Sequence, residues 1–140
     1  MLSGETANGA YPVEAVRTME RIALTVESSD EYRQKMWQYH NTHAKRDTVA
    51  ETVAYSAYRT ATEIEAVALV TPTLSGNTAR LLSTFRPEQP IIAATPSETV
   101  LRQLLLNWGV FPSLVAVADE SETMIQNSLR AALDSGRLKL

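Results

Sequence analysis

The stretch VALVTPTLSGNTARLLSTFRPEQPIIAATP, residues Val67 to Pro96, decides the fold. It starts with an apolar run, Val67 to Val70, passes through a hydroxyl-rich turn and a helical segment, and ends in a second apolar run, Ile91 to Ala94. This order of strand, short loop, helix and strand predicts a βαβ unit with parallel strands. With a third strand at Val110 to Val117, we predict an α/β fold of three layers, α/β/α, around a mostly parallel sheet.

The turn after the first predicted strand has the chemistry of an anion site. A helix that begins near Gly76 presents unpaired backbone N–H groups and the positive end of its dipole, and glycine lets an anion approach closely. The hydroxyls of Thr73, Ser75 and Thr78 add donors. Three other predicted helices begin with boxes that place a glutamate in the first turn, but this helix has none: Thr48/Glu51, Thr95/Glu98 and Asp119/Glu122.

Two interpretations of this turn are open. Either it seats an external anion, with phosphate as the first choice, or Ser75 or Thr73 caps the helix. The turn lacks the G-K-[ST] ending of a Walker A motif, so nothing in it indicates nucleotide hydrolysis.

The same residues carry a resemblance to a known family. The motif T-x-S-G-x-T-A-R at Thr73 to Arg80, followed by R-P-x-x-P-I-I-A at Arg86 to Ala93, resembles the carboxyl-terminal domain of pyruvate kinase. MLSGETANGAYPVEAV at Met1 to Val16 resembles the segment where that family's catalytic barrel ends. The pattern L-x-W-G-V-x-P at Leu106 to Pro112 is similar to the family's pattern after the next helix.

The resemblance implies an effector-binding and subunit-contact domain. The implied partners are a phosphorylated small molecule, either a sugar phosphate or a nucleotide, and further copies in a homo-oligomer. Position by position, it assigns phosphate binding to the loop residues Thr73, Ser75, Gly76, Asn77 and Thr78, with Arg80 as an additional cation.

The resemblance assigns no catalytic residue and no metal to this chain. The parent enzyme of the family transfers phosphate from phosphoenolpyruvate to ADP with magnesium and usually potassium. Ser3, Glu5 and Thr6 match a segment at the rim of the catalytic barrel, which this sequence does not contain. We therefore expect the chain alone to be catalytically inactive.

The resemblance also divides the chain. Residues 1–27 match the end of the barrel with its last helix, 28–47 form a connector, and 48–140 match the carboxyl-terminal domain without its final strands. The first helix needs the rest of the chain or a second copy to cover its apolar stripe of Val13, Val16, Met19, Ile22 or Ala23, and Val26. The alternative function is a stand-alone α/β interaction or dimerisation module without a ligand, paired through the alanine-rich helix at Thr48 to Ile64.

Helical periodicity predicts which residues of the later helices face inward. They are Val49, Val53, Ala57 and Ile64 with Ala50, Ala54 and Ala61; Leu81, Leu82 and Phe85; Val100, Leu101, Leu104 and Leu105; and Ile125, Leu129 and Leu133. Thr95 is the predicted N-cap of the third of these helices. Pro112 predicts that its strand starts there or lies at an edge, because proline cannot donate to a ladder.

Composition limits the classes of function. The 13 basic and 16 acidic residues give a formal charge of −3, which argues against nucleic-acid binding. Without cysteine there is no thiolate metal site. His40 and His43 have helical spacing, but no third ligand is near, and an aromatic packing surface is the simpler interpretation. No apolar run reaches membrane-spanning length, so we expect a cytoplasmic protein that does not bind membranes.

Overall fold

The computed structural model describes residues 1–42, 47–117, 121–134 and 136. The chain divides into two compact units, Met1–Ala44 and Lys45–Leu140. The elements in chain order are α1 (Gly4–Ala7), α2 (Pro12–Glu27), α3 (Asp30–Thr42), α4 (Val49–Glu63), β1 (Leu69–Pro72), α5 (Asn77–Thr84), β2 (Ile91–Thr95), α6 (Glu98–Leu104), β3 (Val110–Leu114) and α7 (Ser121–Asp134). No helix in the described ranges combines the length and hydropathy needed to cross a membrane.

The first unit consists of α1, α2 and α3. Pro12 occupies the first turn of α2, as expected from its fixed φ and missing N–H. Within this unit α2 buries none of its residues, and its predicted stripe, including Val16 and Ile22, is about half exposed. Of the histidine pair, His43 lies outside the described residues.

The second unit contains a parallel sheet in the order β1-β2-β3. Leu69 pairs with Ile91, which in turn pairs with Val110. All five residues of β2 are buried. Because successive side chains of a strand point to opposite faces, both faces of the sheet are covered. The predicted three-layer α/β fold is confirmed: α5 and α6 connect the parallel strands, and α7 contacts all three of them.

The edge position that Pro112 predicted for its strand is confirmed within the described sheet. Pro112 pairs with Ala93 of β2, and β3 lies at one end of the described sheet. A residue without an N–H is tolerated there, because a central strand would need that donor for its second neighbour.

A compact core forms between the sheet and the helices α4, α5 and α6. Its buried members are Ala54, Ala79, Leu82, Ile91, Ala93, Leu104 and Val110. The inward position predicted for Leu82 and Leu104 is confirmed, whereas Leu105 is 62% exposed. The chain turns out of its helix directly after Leu104, which carries Leu105 away from the sheet.

Small residues, rather than the large ones predicted, face inward on α7. On α7 the buried residues are Ser128 and Ala132, while the predicted stripe is at least half exposed: Ile125, Leu129 and Leu133. Small side chains let the helix approach the sheet closely, and the Ser128 hydroxyl is satisfied by donating to the Met124 carbonyl at 2.7 Å.

The prediction for α4 is confirmed for two alanines and wrong for its larger aliphatic residues. Ala54, Tyr58 and Ala61 are buried, while Val53 and its predicted companions Val49 and Ile64 are exposed. Tyr58 stacks on Phe85, the C-cap residue of α5, with ring centroids 5.6 Å apart. Tyr55 meets the same ring edge-on at 5.5 Å, so aromatic rings contribute to the contact between these helices. Burial raises the pKa of the Tyr58 hydroxyl.

Two of the predicted helix caps can be compared with the structure, and one is wrong. Thr48 and Glu51 form the predicted capping box at the start of α4. The N-cap of α6 is Ser97, whose hydroxyl accepts from the Val100 N–H, and not Thr95. Thr95 is the last residue of β2 and is fully buried, so the strand retains it and the helix starts later. Asp119, the third predicted cap, lies outside the described residues.

Candidate functional site

The candidate site is the short loop between β1 and α5. Gly76 is the N-cap of α5 and adopts a left-handed conformation with φ +81°, which glycine reaches without steric cost. A Cβ atom at this position would lie 3.1 Å from Val100 Cγ1 and 3.2 Å from Leu104 Cδ2. The loop therefore sits directly on α6 and on the core.

The loop hydroxyls accept hydrogen bonds from loop amides. Thr73 is buried, and its Oγ1 accepts from the Gly76 N–H at 2.9 Å. Its own N–H donates to the Ala94 carbonyl at 2.8 Å, which ties the loop to β2. The Ser75 Oγ lies 3.4 Å from the Asn77 nitrogen, a long contact. Neither hydroxyl caps the helix from the N-cap position, because Gly76 occupies that position.

The next two backbone donors of α5 have no acceptor within the described part of the chain. They are the N–H groups of Thr78 and Ala79, which point toward the start of the helix and appear in none of the hydrogen bonds around the loop. Ala79 is fully buried, so its N–H is shielded from bulk solvent. The first turn contains no acidic residue, so no side chain of that turn compensates the positive end of the helix dipole.

Arg80 adds a positive charge to this region. Its NH1 group donates to the Ser75 carbonyl at 2.9 Å, and its NH2 group donates to Gln103 Oε1 on α6 at 2.9 Å. Both acceptors are neutral. Four other cations in the described ranges form ion pairs with a carboxylate on their own helix: Arg33–Asp30, Lys35–Glu31, Arg59–Glu63 and Arg102–Glu98.

The structure brings all of the predicted phosphate-binding residues into the loop and the first turn of α5. Thr73 and Gly76 are buried and shape the backbone, whereas the other members of the loop are exposed: Ser75, Asn77 and Thr78. Arg80 is half-buried beside them. The sequence did not reveal Gln103, because it follows Arg80 by 23 residues on another helix and no motif marks it.

Such a loop can hold a compact anion. Backbone N–H groups at a helix start, hydroxyls and a guanidinium are the donors that bind phosphate and sulfate groups in proteins. No group of three or more histidine or acidic side chains able to hold a metal occurs among the described residues.

The family of the chain follows from comparison with known proteins. The family model described as the alpha/beta domain of pyruvate kinase matches residues 51–140. The chain belongs to the pyruvate kinase family. The matched range includes the whole sheet and the loop between β1 and α5.

Individual pyruvate kinases are similar over almost the entire chain. The pyruvate kinase of Geobacillus stearothermophilus is 41% identical over 139 residues, which are 99% of this chain and 23% of that protein. The pyruvate kinase of Clostridium acetobutylicum is 40% identical over 136 residues, covering 97% of this chain and 28% of that protein. The chain thus spans about a quarter of the length of these pyruvate kinases.

The fold agrees with a solved pyruvate kinase. The crystal structure of Cryptosporidium parvum pyruvate kinase superposes with a TM-score of 0.81 at 38% identity, covering 99% of this chain and 29% of that chain. The α/β architecture and the family resemblance inferred from the sequence motifs are therefore confirmed.

Proposed function

We propose that this chain is the effector-binding and subunit-contact domain of a pyruvate kinase, and that its effector is a phosphorylated small molecule. The observation that carries the effector proposal is the unbalanced charge at the start of α5. The exposed Thr78 N–H, which has no acceptor among the described residues, and the Arg80 guanidinium, whose acceptors Ser75 O and Gln103 Oε1 are neutral, both lie there. A phosphate would supply the missing acceptor oxygens and negative charge.

The donors of the loop are proposed to recognise the phosphate group of the effector. The Thr78 amide and the Ser75 and Thr78 hydroxyls, which are exposed, are proposed to donate to the phosphate oxygens, and Arg80 is proposed to supply charge-assisted hydrogen bonds. A sugar phosphate and a nucleotide offer the same group, so both belong to the proposed ligand class.

The parent enzyme is proposed to transfer phosphate from phosphoenolpyruvate to ADP, with magnesium and usually potassium. We place the substrate and metal groups of that reaction outside this chain. The purified chain should accordingly show no pyruvate formation above background in a lactate-dehydrogenase-coupled assay, and turnover there would contradict this placement.

A thermal-unfolding titration tests the effector proposal. A ligand that binds only the folded state raises the free energy of unfolding by RT ln(1 + [L]/Kd), about 2.7 kcal/mol at a hundredfold excess over Kd, and the unfolding midpoint rises with it. We expect a saturable rise of the midpoint with glucose 6-phosphate or adenosine monophosphate in the micromolar to millimolar range.

Ser75→Asp should abolish this rise. The new carboxylate would lie at the start of α5, where it interacts favourably with the helix dipole and repels a phosphate. The midpoint without ligand should therefore stay level or increase. Thr123→Asp, which adds a carboxylate to the exposed first turn of α7, is the control and should leave the ligand response intact. An equal ligand response in wild type and Ser75→Asp would contradict the proposed site.

The subunit-contact proposal is supported by exposed apolar residues on α4 and α7. Val49 and Val53 on α4 follow one another at helical spacing, as do Ile125, Leu129 and Leu133 on α7, and all are at least half exposed. Contiguous exposed apolar surface is typical of contacts with another protein. We expect sedimentation velocity to show a self-associated chain, whose association Val53→Glu weakens if α4 forms the contact. A monomer at all concentrations would contradict this part of the proposal. It would also oppose the alternative that the chain is only a dimerisation module.

A further inference from the structure

A hydrogen bond between α5 and α6 holds the side chain of Arg80. We propose that Gln103 is a positioning residue that sets the affinity of the loop for phosphate, because it holds the Arg80 guanidinium at the start of α5 without neutralising its charge. This inference rests on the proposed effector function of the loop. It assigns a role in the site to a residue of α6.

The side chain of Arg80 runs backward along its own helix. Arg80 is the fourth residue of α5, yet its NH1 group donates to the Ser75 carbonyl, which precedes the helix, at 2.9 Å. The same NH1 group lies 3.2 Å from the position that a Cβ atom of Gly76 would occupy. The guanidinium therefore lies at the N-terminus of α5.

This location is unfavourable for an isolated cation. The N-terminus of a helix carries a partial positive charge, so cations are stabilised near the other end. A neighbouring carboxylate would compensate, but the first turn contains none and both acceptors of Arg80 are neutral. The electrostatic cost of placing the Arg80 guanidinium here falls when an anion binds, so this arrangement favours anion binding.

Gln103 supplies the anchor from a separate element. It is exposed on α6, and its Oε1 atom accepts from Arg80 NH2 at 2.9 Å. Leu104, the next residue, is fully buried against the loop glycine, so the backbone that carries Gln103 is fixed by the core. An amide oxygen orients the guanidinium and leaves its charge available. A carboxylate at the same position would form an ion pair and compete with the phosphate.

The experiment measures the affinity of the full 140-residue chain for glucose 6-phosphate by isothermal titration calorimetry. Gln103→Glu should weaken binding at least about tenfold, because the new carboxylate forms an ion pair with Arg80 and the phosphate must compete with it for the guanidinium. Gln103→Ala should weaken binding by about two- to fivefold, because Arg80 then loses one of its two anchors. Gln126→Glu, the same change on the exposed surface of α7, should remain within about twofold of wild type.

The unfolding midpoint without ligand separates positioning from a structural role. In Gln103→Glu it should equal or exceed that of wild type, since the new carboxylate pairs with Arg80. A clear decrease would indicate that Gln103 acts on stability and would overturn the inference.

Three further outcomes would overturn the proposed role of Gln103. Equal affinities of Gln103→Glu and wild type would overturn the role of Gln103 and leave the loop proposal standing. The same loss in Gln126→Glu would attribute the effect to net charge and would also overturn that role. If wild type binds neither glucose 6-phosphate, adenosine monophosphate nor inorganic phosphate, the proposed effector function fails and this inference fails with it.

Discussion

Leu104→Ala should lower the free energy of unfolding by about 2–5 kcal/mol, the cost of removing a buried leucine side chain and leaving a cavity. Leu104 is fully buried in the core. Its Cδ2 atom also lies 3.2 Å from the position of a Cβ atom on Gly76, so it supports the loop between β1 and α5. Urea unfolding followed by tryptophan fluorescence measures the change.

The neighbouring residue provides a matched control. Leu105→Ala removes the same atoms from a side chain that is 62% exposed, and its effect should stay within about 0.5 kcal/mol. Similar losses for the two variants would contradict the position of α6 on the core.

Gly76→Ala should lower the free energy of unfolding by about 2–5 kcal/mol, for two reasons that add. A left-handed conformation costs a residue with a Cβ atom about 1–2 kcal/mol. The new methyl group would also crowd Val100 Cγ1 at 3.1 Å and Arg80 NH1 at 3.2 Å, and overpacking of this kind costs about 1–3 kcal/mol. The same urea experiment measures the sum.

Gly109→Ala separates the two contributions. Gly109 has φ +67°, but a Cβ atom there would meet no atom within 4 Å. Only the conformational cost of about 1–2 kcal/mol should therefore remain. If the two glycine variants lose the same stability, the loop is not packed tightly on α6 as described.

The sequence predicted the βαβ unit well because its signals are local. Apolar runs, one glycine and a helical segment follow one another between Val67 and Ala94. The first strand was nevertheless placed two residues early. β1 begins at Leu69, which pairs with Ile91, while Val67 remains exposed. The first residue of a strand depends on hydrogen-bonded pairing with a neighbouring strand, and an apolar run alone does not reveal that pairing.

Helix faces were predicted less well, because hydrophobicity favours the largest apolar side chains. On α7 that criterion selected the stripe containing Leu129, whereas the structure buries Ser128 and Ala132. The distance between a helix and a sheet decides whether small or large residues fit between them. That distance is a tertiary property, and periodicity alone does not reveal it.

The loop was predictable as a possible anion site, but its surroundings were not. The glycine, the hydroxyls and the absence of acid are visible in the sequence. The contact between Arg80 and Gln103 joins residues 23 positions apart, and it depends on how α6 packs beside α5. The charge environment of the loop therefore became apparent only in the folded chain.

The proposed phosphate site is tested most directly by titrating the isotopically labelled chain with glucose 6-phosphate and following it by proton–nitrogen correlation NMR. Our account predicts saturable shift changes centred on the backbone amides of Gly76, Thr78 and Ala79, and their loss in Ser75→Asp. Saturable changes confined to other parts of the chain, or none up to millimolar ligand, would contradict it.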